Sequence, residues 1–428
     1  MTQNQSRLAI IGTGIAGLSA CWLLKDHFDI TVFESAPRAG MGVHTFSYEH
    51  EGQSYRIDVP LRIFCEGYYD NLMALYRLVG VDIQTSDHAG QFANTDGEVY
   101  LHYGNRHFLG RSRMILKGNS LRNPESWRLG IENHRFLKRA RSDLAEQRAL
   151  SSHTFGEYLS QQRINEQLVR QILLPIMSVT CTCDYQSVLN YPADMMLEYL
   201  TCGIAEWGIL NAAKGVDDIV PRLLSNAELR TNSPIQSVEP IDQSIRVTTA
   251  DNESALFDHV IIASQAQQAA ALLSGFDQQK KLLERVPFER SIMSVHTDKS
   301  ILPTTRAPAS PVSYCVPPDA ERAEVSVDLS KAFERYRGQE SVFQTWNPLR
   351  ELRAGSELAR VEFTRPVVTL DSRAAVSQLR EHQAQQNNRL WFCGSYMADK
   401  IPLLDGAVDS SVNVARQLGV EAPWAADG

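Results

Sequence analysis

The sequence of 428 residues contains no apolar run of about 20 residues, the length that a membrane-spanning helix needs. Residues 1–5 lack the basic and apolar segments of a secretion signal, so we expect a cytoplasmic protein. Seven cysteines are scattered along the chain, and no second Cys/His pair accompanies Cys181 and Cys183 at zinc spacing. We therefore predict free thiols and no metal site.

An excess of positive charge is also missing. The net charge of −8 argues against a nucleic-acid partner. No arrangement of serine, histidine and acid indicates a hydrolase, and only one dinucleotide fingerprint is present, so a second domain for NAD(P)H is not expected. The content of 43% hydrophobic and 21% charged residues is that of a globular protein, and the length favours two domains.

The sequence does contain a dinucleotide-binding fingerprint near its start. An apolar run at 8–11 predicts a buried strand, a glycine-rich turn follows at once, and a helical pattern leads to a second predicted strand at 30–33. The first glycine permits the tight turn, the second lets a pyrophosphate approach, and the third lets helix and strand pack closely. The turn residues that we assign to a cofactor are Gly12, Gly14, Ile15, Ala16 and Gly17.

Glu34 ends the second predicted strand, 20 residues after Gly14. An acid at this place accepts hydrogen bonds from ribose hydroxyls and repels a 2′-phosphate, which disfavours NADP. The alternative is an ordinary strand–helix–strand turn without a ligand. Strand, glycines, helix and acid in this register favour the nucleotide site.

The loop after Glu34 and the far end of the chain favour FAD over NAD. Glycines in this loop let it pass close under the pyrophosphate and ribityl chain, and an arginine can neutralise phosphate charge. An apolar run at 390–394 predicts a strand, and the helical pattern 407–418 points its positive N-terminal end at the flavin ring. The loop residues assigned to FAD are Ser35, Arg38, Gly40, Gly42, Val43 and His44.

A middle segment completes the predicted nucleotide domain. It holds a predicted helix at 214–224 and predicted strands at 229–231, 235–238, 245–249 and 257–263. The predicted fold class is α/β, a Rossmann-type FAD-binding domain with an inserted α+β substrate domain. We assign residues 1–45, 206–265 and 386–428 to the FAD-binding domain, and residues 46–205 and 266–385 to the substrate domain.

Motifs spread along the chain carry a family resemblance. They are IGTGIAGLSACWLL (11–24), VFESAPRAG (32–40), YYDNLMALYRLVGVDIQTSD (68–87), TFGEYL (154–159), LLPIMS (173–178), KGVDDIVPRL (214–223), FDHVIIAS (257–264), HTDKSILP (296–303), RLWFCGSY (389–396) and DGAVDSS (405–411). By these motifs nearly the whole chain resembles the flavin amine-oxidase superfamily. More closely, it resembles bacterial FAD-dependent oxidoreductases encoded beside cyclopropane-fatty-acyl-phospholipid synthases, some of which act as fatty-acyl desaturases.

The resemblance implies further cofactor residues. They are Ile235 at the adenine, Ala263 and Ser264 near the phosphates or ribose, and, beside the flavin, Gly394, Ser395, Asp405, Gly406 and Ala407. The chain departs from the subgroup at Met41–His44, where Gly-Gly-His is usual, and at Asp58-Val59-Pro60, where Asp-Thr-Gly is usual. Pro60 removes a backbone donor from a loop expected to face the flavin, so the substrate geometry is expected to differ.

The predicted function is an FAD-dependent oxidoreductase that dehydrogenates a fatty-acyl chain of a lipid by hydride transfer to flavin N5. His44 is the candidate proton relay, because histidine titrates near neutral pH, although the same residue suits a simple hydrogen bond to FAD phosphate or a carbonyl. The alternatives are an amine oxidase acting on a small amine, a non-catalytic FAD-binding partner of a lipid-modifying methyltransferase, and a single-component aromatic hydroxylase.

Residues 101–148 differ from the rest of the chain in charge. They hold eleven basic residues against four acidic ones, interleaved with apolar side chains such as Met114, Trp127 and Phe136. Such a segment is typical of peripheral contact with anionic lipid headgroups, here at the inner face of the membrane. The alternative is a solvated pair of helices with an ordinary core stripe.

Overall fold

The computed structural model describes residues 5–41, 44–108, 111–146, 150–202, 208–224, 227–303, 310–319 and 321–427. Two predicted cofactor residues, Gly42 and Val43, lie outside these ranges. Within them, no helix is both long and apolar enough to cross a bilayer.

The strands belong to five sheets. In chain order they are β1 (Arg7–Ile11), β2 (Asp29–Phe33), β3 (Phe46–His50), β4 (Gln53–Ile57), β5 (Ile63–Phe64), β6 (Ile83–Ser86), β7 (Gly90–Ala93), β8 (Val99–Phe108), β9 (Arg111–Leu116), β10 (Ile209–Ala212), β11 (Glu228–Arg230), β12 (Ile235–Ile241), β13 (Ser244–Thr249), β14 (Ser254–Phe257), β15 (His259–Ile262), β16 (Phe288–His296), β17 (Val312–Cys315), β18 (Glu324–Asp328), β19 (Phe343–Trp346), β20 (Glu357–Pro366) and β21 (Leu390–Phe392).

The helices vary from short turns to the long α3. They are α1 (Ile15–Leu24), α2 (Asp70–Leu78), α3 (Pro124–Ala145), α4 (Phe155–Gln161), α5 (Glu166–Leu168), α6 (Leu174–Cys181), α7 (Tyr185–Asn190), α8 (Ala193–Thr201), α9 (Val216–Leu223), α10 (Ala266–Leu272), α11 (Asp277–Leu283), α12 (Leu329–Ala332), α13 (Leu370–Gln383) and α14 (Leu404–Gln417).

A five-stranded sheet with the order β11-β2-β1-β15-β21 forms the nucleotide-binding part of the fold, and all its pairs are parallel. In both β1 and β2 the first residue is exposed and the next four are buried, because helices cover both faces of a parallel sheet. Helices α1 and α14 pack together beside the sheet, and Ser411 Oγ donates to the carbonyl of Ala16 at 2.8 Å. This arrangement confirms the predicted α/β class with a Rossmann-type sheet.

The largest of the five sheets that the described strands form has eight strands, in the order β20-β16-β19-β18-β17-β7-β8-β9. Its neighbours are antiparallel except for the parallel pair of β17 and β7. Strands β20 and β9 are its two edges. All eight strands come from the ranges predicted to build the substrate domain.

Strand β10 pairs with β5 and β6, which joins residues from both sides of the predicted boundary at 205/206. The division into two domains stays a prediction. The helix-pair alternative for residues 101–148 is wrong, because the segment folds as the β8–β9 hairpin followed by the single helix α3.

The single strand predicted at 257–263 is divided in the structure. Phe257 ends β14 in an antiparallel sheet, whereas His259 begins β15 in the parallel sheet. Asp258 lies at the crossing, where its backbone N–H donates to the carbonyl of Arg7 at 2.9 Å and its carboxylate accepts from the Arg7 N–H at 2.8 Å. These paired bonds hold the chain where it passes from one sheet to the other.

Candidate functional site

The glycine-rich turn between β1 and α1 is built as its spacing predicts. Gly12 has a φ of +104°, a conformation that favours glycine, and its N–H donates to the carbonyl of Phe33 at 2.8 Å. A Cβ atom on Gly17 would overlap the carbonyl oxygen of Gly12. The helix therefore lies directly on the turn, with Ile15 and Ala16 buried in its first residues.

The N-terminal end of α1 is open to a ligand. A Cβ atom on Gly14 would meet no heavy atom within 4 Å. No side chain caps the helix, and no acid lies in its first turn. Its free N–H groups and positive dipole are therefore available to an anion, which is what the pyrophosphate of FAD requires.

Glu34 connects the glycine-rich turn to the loop that follows β2. One oxygen of its carboxylate accepts from the Thr13 N–H at 3.1 Å and from the Thr13 hydroxyl, while the other accepts from the Ala36 N–H at 2.9 Å and from the Ser35 hydroxyl at 3.3 Å. Because a carboxylate has about four acceptor sites, these four bonds already fill them with protein donors. The predicted hydrogen bond from a ribose hydroxyl to Glu34 stays a prediction.

Gly40 is held in the same network, since its N–H donates to the Thr13 hydroxyl at 2.7 Å. It has a φ of +88°, and a Cβ atom there would lie 2.5 Å from Val220 of α9. The sequence suggested that this glycine lets the loop approach the cofactor, but in the structure its neighbours are protein atoms. Arg38, by contrast, is exposed and has no hydrogen bond or ion pair to a described residue.

The remaining predicted cofactor residues gather at the carboxyl ends of the parallel strands, where ligands bind in open α/β sheets. A Cβ atom on Gly12 would lie 3.1 Å from the carbonyl oxygen of Ala263 and 3.5 Å from the nitrogen of Ser264. A Cβ atom on Gly394 would lie 3.6 Å from the carbonyl oxygen of Ser264. The loop before Ile235 bonds to the Glu34 loop, because the N–H of Ser233 donates to the carbonyl of Glu34 at 2.9 Å.

Helix α14 begins three residues earlier than predicted, at Leu404. Gly406 and Ala407 are buried in its first turn, and a Cβ atom on Gly406 would lie 3.5 Å from the carbonyl oxygen of Ser395. The helix start is therefore packed against the loop that follows β21, on the same side of the sheet as Gly14.

The carboxylate of Asp405 is fully buried and bound to protein groups rather than open to a ligand. It accepts from the Leu72 N–H at 2.9 Å and from Lys400 Nζ at 2.7 Å. Burial disfavours the charged form of Lys400, but the adjacent carboxylate outweighs it and the net effect raises the pKa of Lys400. This pair anchors α2 to the start of α14.

His44 lies beside strand β20 of the large sheet. Its ring is exposed and meets the ring of Phe363 edge-on, with 5.4 Å between centroids. Desolvation, followed by the positive charge of Arg62, lowers the pKa of His44. This shift favours the neutral imidazole. Its part as a proton relay stays a prediction.

Two arginines that sequence analysis missed lie in the same region. Arg62 Nη2 donates to the carbonyl of Met41 at 2.8 Å, while its Nε is buried without a partner. Arg365 follows Phe363 by two residues on β20, so both side chains project from one face of the strand. Its guanidinium lies 5.9 Å from the ring of Trp346 and makes no hydrogen bond or ion pair to a described residue.

Burial is the main influence on both guanidinium groups. It lowers the pKa of Arg62 to about 10, with the nearby charge of Arg365 acting in the same direction. It also lowers the pKa of Arg365. Both side chains remain charged at neutral pH. Two positive charges that form no ion pair with a described residue are a favourable setting for an anionic group.

The acids near these arginines are already paired. Asp58 binds Arg335 at 3.0 Å and also accepts from the Thr45 hydroxyl at 3.2 Å. Asp405 binds Lys400. Asp58 still acts on Arg62, because its charge raises the pKa of that guanidinium against the effect of burial. Neither arginine forms an ion pair with a described residue.

Comparison with known families gives one match. A family model described as flavin containing amine oxidoreductase matches residues 15–311, which is more than half of the chain. No curated protein sequence matches the chain.

Similar folds occur among solved structures. A CLA-producing fatty acid isomerase from P. acnes is 14% identical with a TM-score of 0.69, over 98% of this chain and 100% of that chain. A putrescine oxidase bound to putrescine is 14% identical with a TM-score of 0.63, over 97% of this chain and 99% of that chain. The cyclohexylamine oxidase from Brevibacterium oxydans IH-35A is 14% identical with a TM-score of 0.62, over 97% and 100%. At this identity the likeness shows the fold alone.

Proposed function

The chain belongs to the flavin-containing amine oxidoreductase family and is an FAD-dependent enzyme, and from this premise we propose that it dehydrogenates the acyl chain of an acidic lipid. FAD supplies a hydride acceptor when bound. In the proposed reaction a carbon–carbon single bond becomes a double bond. One hydrogen leaves as a hydride and its neighbour leaves as a proton, and the two electrons then pass to oxygen, a quinone or a protein carrier.

The observation that carries this proposal is the charge around His44. Arg62 and Arg365 are both positive and form no ion pair with a described residue, while Asp58 and Asp405 form ion pairs with Arg335 and Lys400. A protonated amine would be repelled here, because like charges at close range in a poorly solvated site are unfavourable. A carboxylate or phosphate would be attracted. The charge distribution therefore favours an acidic substrate over an amine.

The other side chains of the region suit an acyl chain. Phe363 and Trp346 lie close together, with 5.6 Å between their ring centroids and a tilt of 55° between the rings, and offer apolar surface beside the arginines. We propose that the arginines hold the acidic end of the lipid and that these aromatic rings contact its hydrocarbon. We propose that His44, whose pKa is lowered by desolvation and by the charge of Arg62, receives the proton.

The similar structures include both substrate classes. One is a fatty acid isomerase, and two are oxidases of putrescine and of cyclohexylamine. We propose the fatty-acyl substrate because the positive charge of Arg62 and Arg365 favours an acidic group over a protonated amine.

The test is whether a candidate substrate reduces the bound flavin in the absence of oxygen. The visible absorption of the flavin measures this reduction. Free fatty acids, acidic phospholipids, putrescine and cyclohexylamine are added separately to the purified holoenzyme. Bleaching by an acidic lipid but not by the amines is the expected result. Bleaching by an amine alone would overturn the proposal, and a flavin that stays oxidised with every lipid would favour the non-catalytic partner instead.

A further inference from the structure

Exposed hydrophobic side chains are concentrated in one short stretch of the molecule. Of the nine large hydrophobic side chains that are exposed among the described residues, five lie between residues 114 and 131. Each is between 40% and 53% exposed. A cluster of this kind on a soluble fold usually marks an interaction surface. We call it the basic–apolar face, and its apolar members are Met114, Ile115, Leu121, Trp127 and Ile131.

Three consecutive elements carry these side chains. Met114 and Ile115 lie on β9, the edge strand of the large sheet, and as consecutive residues they project to opposite faces, so at most one of them shares a side with Leu121 and Trp127. A 3-10 turn, Gly118–Leu121, connects this strand to α3, and the indole N–H of Trp127 donates to the carbonyl of Leu121 at 2.9 Å. Ile131 follows Trp127 by one helical turn, so both lie on the same side of α3.

That side of α3 is turned away from the protein core. The core-facing residues of the helix include Leu129, Phe136 and Ala140, which are all buried. On the opposite side, Trp127 and Ile131 are 50% and 48% exposed, although the indole N–H of Trp127 is bound to Leu121. Helix α3 therefore carries apolar side chains on its core-facing side and also on its exposed side.

The charge of the face is positive. Lys117, Arg122 and Lys138 are exposed and make no ion pair with a described residue. The acids of α3 are engaged elsewhere, with Glu125 close to Arg128 at 3.8 Å and Glu132 paired with Arg135 at 3.2 Å. Exposed apolar groups are thus interleaved with cations that have no protein counter-charge.

We infer that the basic–apolar face docks on the surface of an anionic lipid bilayer. Apolar side chains of this size enter the boundary between headgroups and acyl chains, and each cation near the surface attracts acidic lipids. A second copy of the chain fits less well, because a two-fold contact would place Lys117, Arg122 and Lys138 against the same residues of the other copy. This inference is independent of the proposed reaction, because it rests on a different set of residues.

The test is co-sedimentation of the FAD-loaded protein with vesicles. One set contains phosphatidylcholine alone and the other contains phosphatidylcholine mixed with phosphatidylglycerol. Binding is expected only to the second set, and it should fall when salt is raised from about 0.1 M to about 1 M, because the screening length shortens from about 10 Å to about 3 Å. Equal binding to both sets, or binding to neither, would overturn the inference.

Variants separate the contributions of apolar contact and charge. Trp127→Glu with Ile131→Glu should abolish sedimentation. Lys117→Ala with Arg122→Ala should weaken it about 25-fold, since each basic residue near the surface contributes about 1 kcal/mol. Leu349→Glu is the matched control, because Leu349 is 46% exposed on another part of the molecule and should leave binding unchanged.

Failure to fold is distinguishable from failure to dock. Flavin absorption and the melting temperature of each variant are measured beside sedimentation, and both should match the parent protein. A dimer in solution that the Trp127→Glu, Ile131→Glu variant dissolves would assign the face to a second copy of the chain and refute docking on lipid.

Discussion

At the residue scale, two glycines of the same turn differ in what a side chain would meet. A Cβ atom on Gly14 enters open space, whereas one on Gly17 overlaps the carbonyl of Gly12. Gly14 also has a φ of −63°, which any residue adopts. A side chain at position 14 therefore causes no overlap with protein atoms, whereas one at position 17 does.

Substitution should accordingly separate cofactor binding from folding. Gly14→Ala is expected to keep the melting temperature of the FAD-free protein while lowering its FAD content, because the added methyl group takes the space of the pyrophosphate. Gly17→Ala should destabilise the FAD-free protein by about 1–3 kcal/mol through overpacking. Thermal melts and flavin absorption measure both effects. A lower melting temperature for Gly14→Ala would contradict the open space at this position.

The arginines provide a second test at this scale. Arg62→Gln and Arg365→Gln should each raise the KM for an acidic lipid roughly 10- to 100-fold, since a charge-assisted hydrogen bond contributes about 1.5–3 kcal/mol. Flavin content should not change. Arg360→Gln is the matched control, because Arg360 is an exposed arginine of the same strand that pairs with Glu357.

Binding of substrate and binding of FAD by these arginines would give different results. If they bound FAD instead of substrate, the variants would lose flavin and their KM would be unaltered once FAD was restored. Recovery of amine oxidation in Arg62→Gln would argue that the positive charge excludes amines.

At the scale of elements, the start of α14 depends on a buried ion pair. Asp405 is fully buried, and its partner Lys400 is 24% exposed. Because Asp405 also accepts from the N–H of Leu72, the pair connects α14 to α2. Removal of the cation would leave a buried carboxylate without a counter-charge.

Lys400→Met should therefore lower the free energy of unfolding by about 3 kcal/mol. The double variant Lys400→Met, Asp405→Asn should cost less than the two single variants together, because it removes both charges. Urea unfolding of all three proteins measures the coupling between the residues. Strictly additive losses would show that the pair is not an energetic unit.

The sequence predicts some of these elements but not how they are placed. Apolar runs and glycine spacing predict β1, α1, β2 and β21 because these signals are local. They do not predict that the chain crosses between sheets at Asp258, since a strand pattern carries no information about which sheet it joins. Nor do they predict the site of Arg62 and Arg365, because 303 positions of sequence separate two side chains that only tertiary packing brings together.

At the scale of the whole molecule, the histidines link stability to pH. Burial lowers the pKa of His296 to about 4, and His88, whose Nδ1 is buried without a partner, is shifted to about 4 by the same cause. Their unfolded value is about 6.5. Between these values the unfolded chain binds more protons than the folded one, so stability falls as pH falls.

The free energy of unfolding should thus be level above about pH 6.5 and decline toward pH 4, with a slope approaching about 1.4 kcal/mol per pH unit for each histidine. Urea unfolding between these limits measures the slope. His88→Gln with His296→Gln should flatten it. A slope unchanged in the double variant would place the titration on other groups.

The contact between α1 and α14 has a consequence for synthesis on the ribosome. Ser411 reaches back to Ala16 across almost the entire chain, and residues of β21 and α14 complete the sheet and pocket that begin at β1. Helix α1 therefore emerges long before α14 exists, and the surface of α1 that α14 covers stays open while nearly 400 further residues are translated. Cofactor loading becomes a late, post-translational event, and ribosome-bound fragments that end before β21 should neither retain FAD nor resist proteolysis at their N-terminal strands.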